Sequence, residues 1–148
     1  MTKSLNDIKS LNDTLSAERS APRHFSFTEP YWEATKEKKV FLQYCPTTEQ
    51  YQFHPRPKSI FSGSADLEWR EVSGKGSVFT FTIACIGRPP FAEHVPYALV
   101  TVELDEGVRV IGNLVDCTPE NIKIGMRVKP FWSPLPDGTN LLMFTPDN

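Results

Sequence analysis

The chain of 148 residues is short of the residues that most enzymes use for chemistry, with three cysteines and three histidines. Cys45, Cys85 and Cys117 are scattered and odd in number, which argues against a secreted disulfide framework and fits a reducing cytoplasm. His24, His54 and His94 show no helical spacing and no neighbouring metal-ligand partner, so each reads as structural or solvated. No apolar run approaches the roughly 20 residues that cross a bilayer. The first 25 residues are polar, so a soluble, unprocessed chain is expected. Positive charge is scarce too: 16 Lys and Arg stand against 18 Asp and Glu, and the long-range pull on nucleic-acid phosphates is missing. Neither a G-x-S-x-G elbow nor a G-x-x-x-x-G-K-[ST] loop occurs, which leaves serine hydrolysis and nucleotide hydrolysis without support. Ser73-Gly74-Lys75-Gly76 reads as a connector between strands.

What is abundant is proline (13) and phenylalanine (10), a composition that favours strands and turns over long helices. Three parts are expected: an arm over 1–27, a helix and ribbon over 28–66, and a barrel over 67–148. In the arm, "SLND" occurs at Ser4–Asp7 and again at Ser10–Asp13, and Leu5, Ile8 and Leu15 lie near helical spacing; the expectation is a loose arm, with folding on a partner as the alternative. Thr28, Glu29 and Pro30 form a helix-start signal, and a helix over Glu29–Lys38 would bury Tyr31, Trp32 and Ala34. Val40–Tyr44 reads as a strand, followed by loops. Further strands are predicted at Leu67–Val72, Ser77–Ile86, Tyr97–Leu104, Val108–Val115, Met126–Trp132 and Leu141–Phe144. Asp105-Glu106-Gly107 is the clearest hairpin turn, because glycine adopts positive φ freely. Thr118–Ile122 carries a short helical turn. About five meandering strands with one such turn suit a mainly β, OB-type barrel; an SH3-like barrel or open sandwich stays open on pattern alone.

Possible chemistry is thin. Glu103, Asp105 and Glu106 cluster, but in a hairpin turn where solvation is easy. Cys85 and Cys117 fall on or near strands and read as small buried hydrophobes. Arg88-Pro89-Pro90-Phe91 is either a stiff structural loop or a recognition surface of cation and aromatic.

Several segments, in order, carry a resemblance: Pro30-Tyr31-Trp32-Glu33-Ala34, Leu42-Gln43-Tyr44-Cys45, Phe53-His54-Pro55-Arg56, Leu67-Glu68-Trp69, Ser73–Val78, Pro96–Val100, Glu103–Arg109 and Ile124–Val128. From about Pro30 to Phe144 the chain resembles the zinc-ribbon plus OB-fold proteins catalogued as domain of unknown function number thirty-five. Members normally carry two C-x-x-C knuckles ahead of the barrel. Here the ligand positions read Cys45, Thr48, Ser59 and Ser62, and a hydroxyl is neither a thiolate nor a soft donor near neutral pH. The ribbon is therefore expected to be degenerate and metal-free, with no zinc cofactor. Tyr44, Tyr51, Phe53, Ile60 and Phe61 are available to offset the lost metal or to dock on a partner.

The resemblance implies an accessory subunit of an acyl-CoA-dependent, thiolase-like enzyme, in a hetero-oligomer whose catalytic residues belong to the partner. The complex would make or cleave carbon–carbon bonds or transfer acyl groups, with acyl-CoA as its ligand. On charge and loop position, Arg56, Lys58 and Arg88 are the candidates for CoA-phosphate contact, joined by Phe91 as an interface residue. No catalytic residue and no membrane contact are expected. Two rivals stand beside this reading: a single-stranded nucleic-acid binder stacking bases on Phe79, Phe81 and Phe131, and an independent enzyme, for which no acid, base and nucleophile can be assembled.

Overall fold

The computed structural model describes residues 4, 5, 8 and 10–148. One helix, α1 (Glu29–Lys36), is followed by β1 (Val40–Cys45), β2 (Gln50–Gln52) and β3 (Glu68–Val72). Five longer strands complete the chain: β4 (Gly76–Ala84), β5 (Tyr97–Leu104), β6 (Arg109–Leu114), β7 (Arg127–Pro134) and β8 (Asn140–Pro146). The first three form an antiparallel ribbon in the order β2-β1-β3, and the last five close into a barrel in the order β4-β5-β6-β8-β7. The mainly β, OB-type architecture expected from the strand pattern is what forms. The strand near Leu67–Val72, counted with the barrel from sequence, instead pairs with β1 from Val40↔Val72 to Tyr44↔Glu68 and completes the ribbon.

The barrel interior follows from period-two alternation. On β5, Ala98, Val100, Val102 and Leu104 are buried while the residues between them face outward. Val78, Leu114, Val128 and Phe144 meet them inside, all at most 1% exposed. Gly76 is required where β4 starts, since a Cβ there would lie 2.2 Å from the Glu103 carbonyl oxygen. Gly107, at φ +89°, closes the β5–β6 hairpin in the conformation glycine adopts without strain.

α1 ends two residues before the expected Lys38, and its buried residues are Tyr31 and Thr35; Trp32 and Ala34 are only partly covered. Thr35 is what locks the helix down. Its hydroxyl donates to the Trp32 carbonyl at 2.6 Å and accepts the Asn140 backbone N–H at 3.1 Å, and Asn140 Nδ2 donates to the Thr35 carbonyl at 2.8 Å. Thr28 does not cap the helix with its side chain; the hydroxyl turns back to Phe25, accepting from its N–H at 2.9 Å.

The segment before the helix packs on the barrel. Ile8 and Leu11 belong to the core cluster, and Leu11 N–H donates to the Cys117 carbonyl at 3.0 Å. Asn12 pairs with Asp116 twice, at 2.7 and 2.8 Å. A 3-10 turn covers Asp13–Ser16, and the helical spacing of Leu5 and Ile8 falls partly on residues 6, 7 and 9, outside the described residues. Cys117 is buried as expected, but Cys85, just past the end of β4, is exposed.

Candidate functional site

The ribbon brings together the four positions that the family resemblance singled out. Cys45 ends β1, fully buried, and its sulfur lies 3.4 Å from Ser62 Oγ. Ser59 is buried, and its hydroxyl accepts the backbone N–H groups of Phe61 and Ser62 at 3.1 and 3.2 Å. Ser62 Oγ in turn accepts the Ser64 N–H at 3.3 Å. Hydrogen bonding from Ser59, and after it Ser62, pulls the Cys45 thiol down to about 6 against the opposing pull of burial. Thr48 faces the same sulfur, and its Oγ1 is buried without a hydrogen-bond partner of good geometry.

Beneath this tip the ribbon is cross-linked by two buried glutamines paired across β1 and β2. Gln52 Nε2 donates to Gln43 Oε1 at 2.8 Å. Gln43 then exchanges two 2.8 Å bonds with the backbone of Arg56, and Gln52 accepts the Ile60 N–H at 2.9 Å. The 53–62 loop is thereby stapled to β1 through polar bonds, which sequence periodicity does not register.

Between α1, the end of the ribbon and the barrel lies a cavity of about 280 Å3. Tyr31, Trp32, Phe53, His54, Ile111 and Leu141 are among its walls. Burial, and secondarily the nearby Arg56 charge, lower the His54 pKa, so its neutral form is favoured here. No carboxylate, thiol or lysine is among the lining residues, so the cavity is mostly apolar, with the His54 imidazole and the Thr28 and Tyr31 hydroxyls as its polar groups.

Arg56 and Lys58 are exposed on the loop after β2, while Arg88 and Phe91 sit in the loop before β5, where the Phe91 N–H donates to the Arg88 carbonyl at 2.7 Å. The Arg19 guanidinium lies 5.5 Å from the Phe91 ring centroid, so this loop is held by the N-terminal segment. Among the described residues no hydrogen bond, ion pair or ring contact joins the Arg56–Lys58 pair to the Arg88–Phe91 pair. Ile60 and Phe61, 56% and 44% exposed, stand at the ribbon tip, and Ile111, 68% exposed, on the barrel wall.

The acidic turn is paired rather than freely solvated. Arg127 grips Asp105 through two bonds of 2.7 and 2.8 Å and holds its carboxyl below the ordinary carboxylate value. Arg109 Nε donates to Glu103 at 3.0 Å, and the Ser73 N–H donates to Glu106 at 3.3 Å. Of the aromatics of the nucleic-acid reading, Phe81 packs against the core and Phe131 on β7 is half-buried, while the exposed Phe79 ring lies 3.7 Å beneath the Arg109 guanidinium. Among the described residues no group of three or more His, Cys, Asp and Glu side chains is placed to hold a metal ion. Among the described residues Ser16 Oγ lies 3.2 Å from His94 Nδ1, but no nucleophile with a base and an orienting third group is assembled.

A closed five-stranded barrel preceded by a helix and a three-stranded ribbon defines an OB-fold protein of the ribbon-plus-barrel type. The family model "ChsH2, C-terminal OB-fold domain" matches residues 69–133. A "DUF35 domain-containing scaffold protein" of Pyrococcus furiosus is 38% identical over 101 residues, covering 67% of this chain and 73% of that protein. The chain belongs to the DUF35 family, as its ordered motifs imply. A "probable enoyl-CoA hydratase alpha subunit" of Thermomonospora curvata is 33% identical over 117 residues, 78% of this chain, yet this chain spans only 36% of its length. Among solved structures, a chain of "Ltp2-ChsH2(DUF35) aldolase" superposes with a TM-score of 0.75 at 31% identity, covering 85% of this chain and 98% of that one.

Proposed function

We propose that this chain is a non-catalytic, accessory subunit of an acyl-CoA-dependent, thiolase-like complex, supporting assembly and acyl-CoA binding while the partner supplies the nucleophile. The observation that carries this reading is the match across 98% of the DUF35 chain of a named aldolase. Relatives described as a scaffold protein and as a hydratase alpha subunit point the same way. The physical features agree with it: no acid, base and nucleophile set forms among the described residues, and large apolar side chains stand exposed at the ribbon tip and on the barrel wall. Buried against a partner, such side chains would each contribute about 1.5–3 kcal/mol. Arg56 and Lys58, beside Ile60 and Phe61, are the cations best placed to meet an anionic ligand at that interface, with Arg88 and Phe91 forming a separate contact.

Gentle purification of the tagged chain from its native host, with mass spectrometry of what remains bound, tests the proposal. A stoichiometric thiolase-like partner, with acyl-CoA turnover only in the complex, is the expected result. A clean monomer, or turnover by the isolated chain, overturns it. Within the complex, Arg56→Ala with Lys58→Ala is expected to raise the KM for acyl-CoA several-fold at low salt, leaving kcat near wild type. Removal of interactions made equally in the ground and transition states acts in that way.

A further inference from the structure

The family resemblance places zinc at the ribbon tip, and the side chains found there do not fit it. Zinc in structural sites takes four thiolate or imidazole donors, whereas these positions offer one sulfur and the hydroxyls of Thr48, Ser59 and Ser62. An aliphatic hydroxyl keeps its proton near neutral pH and is a poor ligand for a borderline-soft cation. We propose that this tip is a zinc knuckle converted into a metal-free hydrogen-bond cluster. The chain folds without metal, and the four positions stay close enough that thiols restored at 48, 59 and 62 capture zinc.

Three observations carry this. The backbone donors of the second knuckle, which an anionic ligand atom would otherwise satisfy, are taken up by hydroxyl oxygens: Phe61 and Ser62 N–H by Ser59, and Ser64 N–H by Ser62. The cross-link that a metal would make between the two knuckles is made a few residues below by Gln43 and Gln52, which bind the loop carrying Ser59 to the strand carrying Cys45. Finally, Ser62 Oγ stands 3.4 Å from the Cys45 sulfur, and the Thr48 hydroxyl is enclosed facing the same sulfur, with no other partner of good geometry. All three hydroxyls thus converge on the one sulfur, as four ligands would converge on a metal. The pairwise approach of the tip is intact although the donors have changed.

The test begins with the full chain expressed in zinc-supplemented medium. Elemental analysis by mass spectrometry is expected to find far less than one zinc per chain, and the melting temperature is expected not to move on addition of EDTA. The combined variant Thr48→Cys, Ser59→Cys, Ser62→Cys is expected to bind about one zinc per chain, to show thiolate-to-metal absorption when loaded with cobalt(II), and to melt higher with zinc than with EDTA. Stoichiometric zinc in the wild type, or an EDTA-induced fall in its melting temperature, overturns metal independence. A combined variant that is folded by circular dichroism yet takes up no metal overturns the retained frame. Ser62→Cys alone gives a second measure of that frame if the combined variant does not fold. Its new thiol is expected to form a disulfide with Cys45 under mild oxidation, detected as a mass loss of two hydrogens, and failure to form it in the folded protein counts against the proposal.

Discussion

The barrel and the outer end of the ribbon are both built from β-strands, but they are held together by opposite means, although Val40 and Leu42 at the inner end of β1 join the barrel's apolar core. The barrel is a closed apolar interior in which Val78, Val100, Val102, Leu104, Leu114, Val128 and Phe144 exclude water almost completely. In the ribbon, two buried glutamines, a buried serine and a buried cysteine sit where a small domain would ordinarily place large hydrophobes or a metal. Apolar packing is non-directional and tolerates small displacements, so the barrel's stability is spread over many side chains. Buried hydrogen bonds are directional, and each orphaned group carries its full desolvation penalty, so the outer end of the ribbon depends on a few contacts. The difference locates where each part is vulnerable.

The largest effect is expected from the barrel. Phe144→Ala opens a cavity in a site that is 0% exposed and is expected to cost about 3–5 kcal/mol, read as a lower urea midpoint with an unchanged m-value. Amide exchange should accelerate throughout the molecule, because the ribbon and α1 are both anchored on the barrel.

A smaller and more local loss is expected from Gln52→Leu. It preserves approximate volume but strands the Ile60 N–H and removes a donor from Gln43, for about 1–3 kcal/mol per buried group left unsatisfied. Hydrogen exchange is expected to rise in β1, β2 and the 53–62 loop while β5 and β6 keep their protection. Uniform acceleration across the barrel would erase the distinction between the two regions.

The smallest effect is electrostatic. His54 has a lowered pKa in the folded chain, chiefly from burial and then from Arg56, so the unfolded chain takes up the proton at a higher pH. Its contribution to stability is therefore complete above the ordinary histidine value of about 6.5 and is lost as pH falls through the folded value. His54→Gln is expected to flatten that part of the melting-temperature profile; an unaltered slope would assign the acid sensitivity to other groups.

Local pattern made much of this molecule legible. The β5–β6 hairpin, its Gly107 turn, the start of α1 and the five barrel strands follow from alternation and turn chemistry that act within a few residues. The knuckle positions were legible only through the family resemblance, because three of the four no longer carry a ligand side chain. What stayed hidden is polar and distant in sequence: Thr35 with Asn140 and Asn12 with Asp116 join residues more than 100 positions apart. Gln43 and Gln52 lie closer, but nothing in periodicity marks a glutamine as buried. Packing of Ile8 and Leu11 against the barrel was hidden for a similar reason, since the weak helical spacing of Leu5, Ile8 and Leu15 does not say what the arm packs against. The exposure of Cys85 and the pairing of Asp105 with Arg127 likewise depend on tertiary placement.

The order of strands around the barrel sets a timetable for synthesis. β8, late in the chain, lies between β6 and β7, and it meets β6 through a single parallel pair, Leu114↔Phe144. A nascent chain can therefore form the β4–β5–β6 meander as it leaves the ribosome, but it cannot seal the barrel until Asn140–Pro146 has emerged. Until that moment β6 has a free edge and Phe144 has not yet reached the interior. An open β6 edge is where a chain that lacks β8 can mispair.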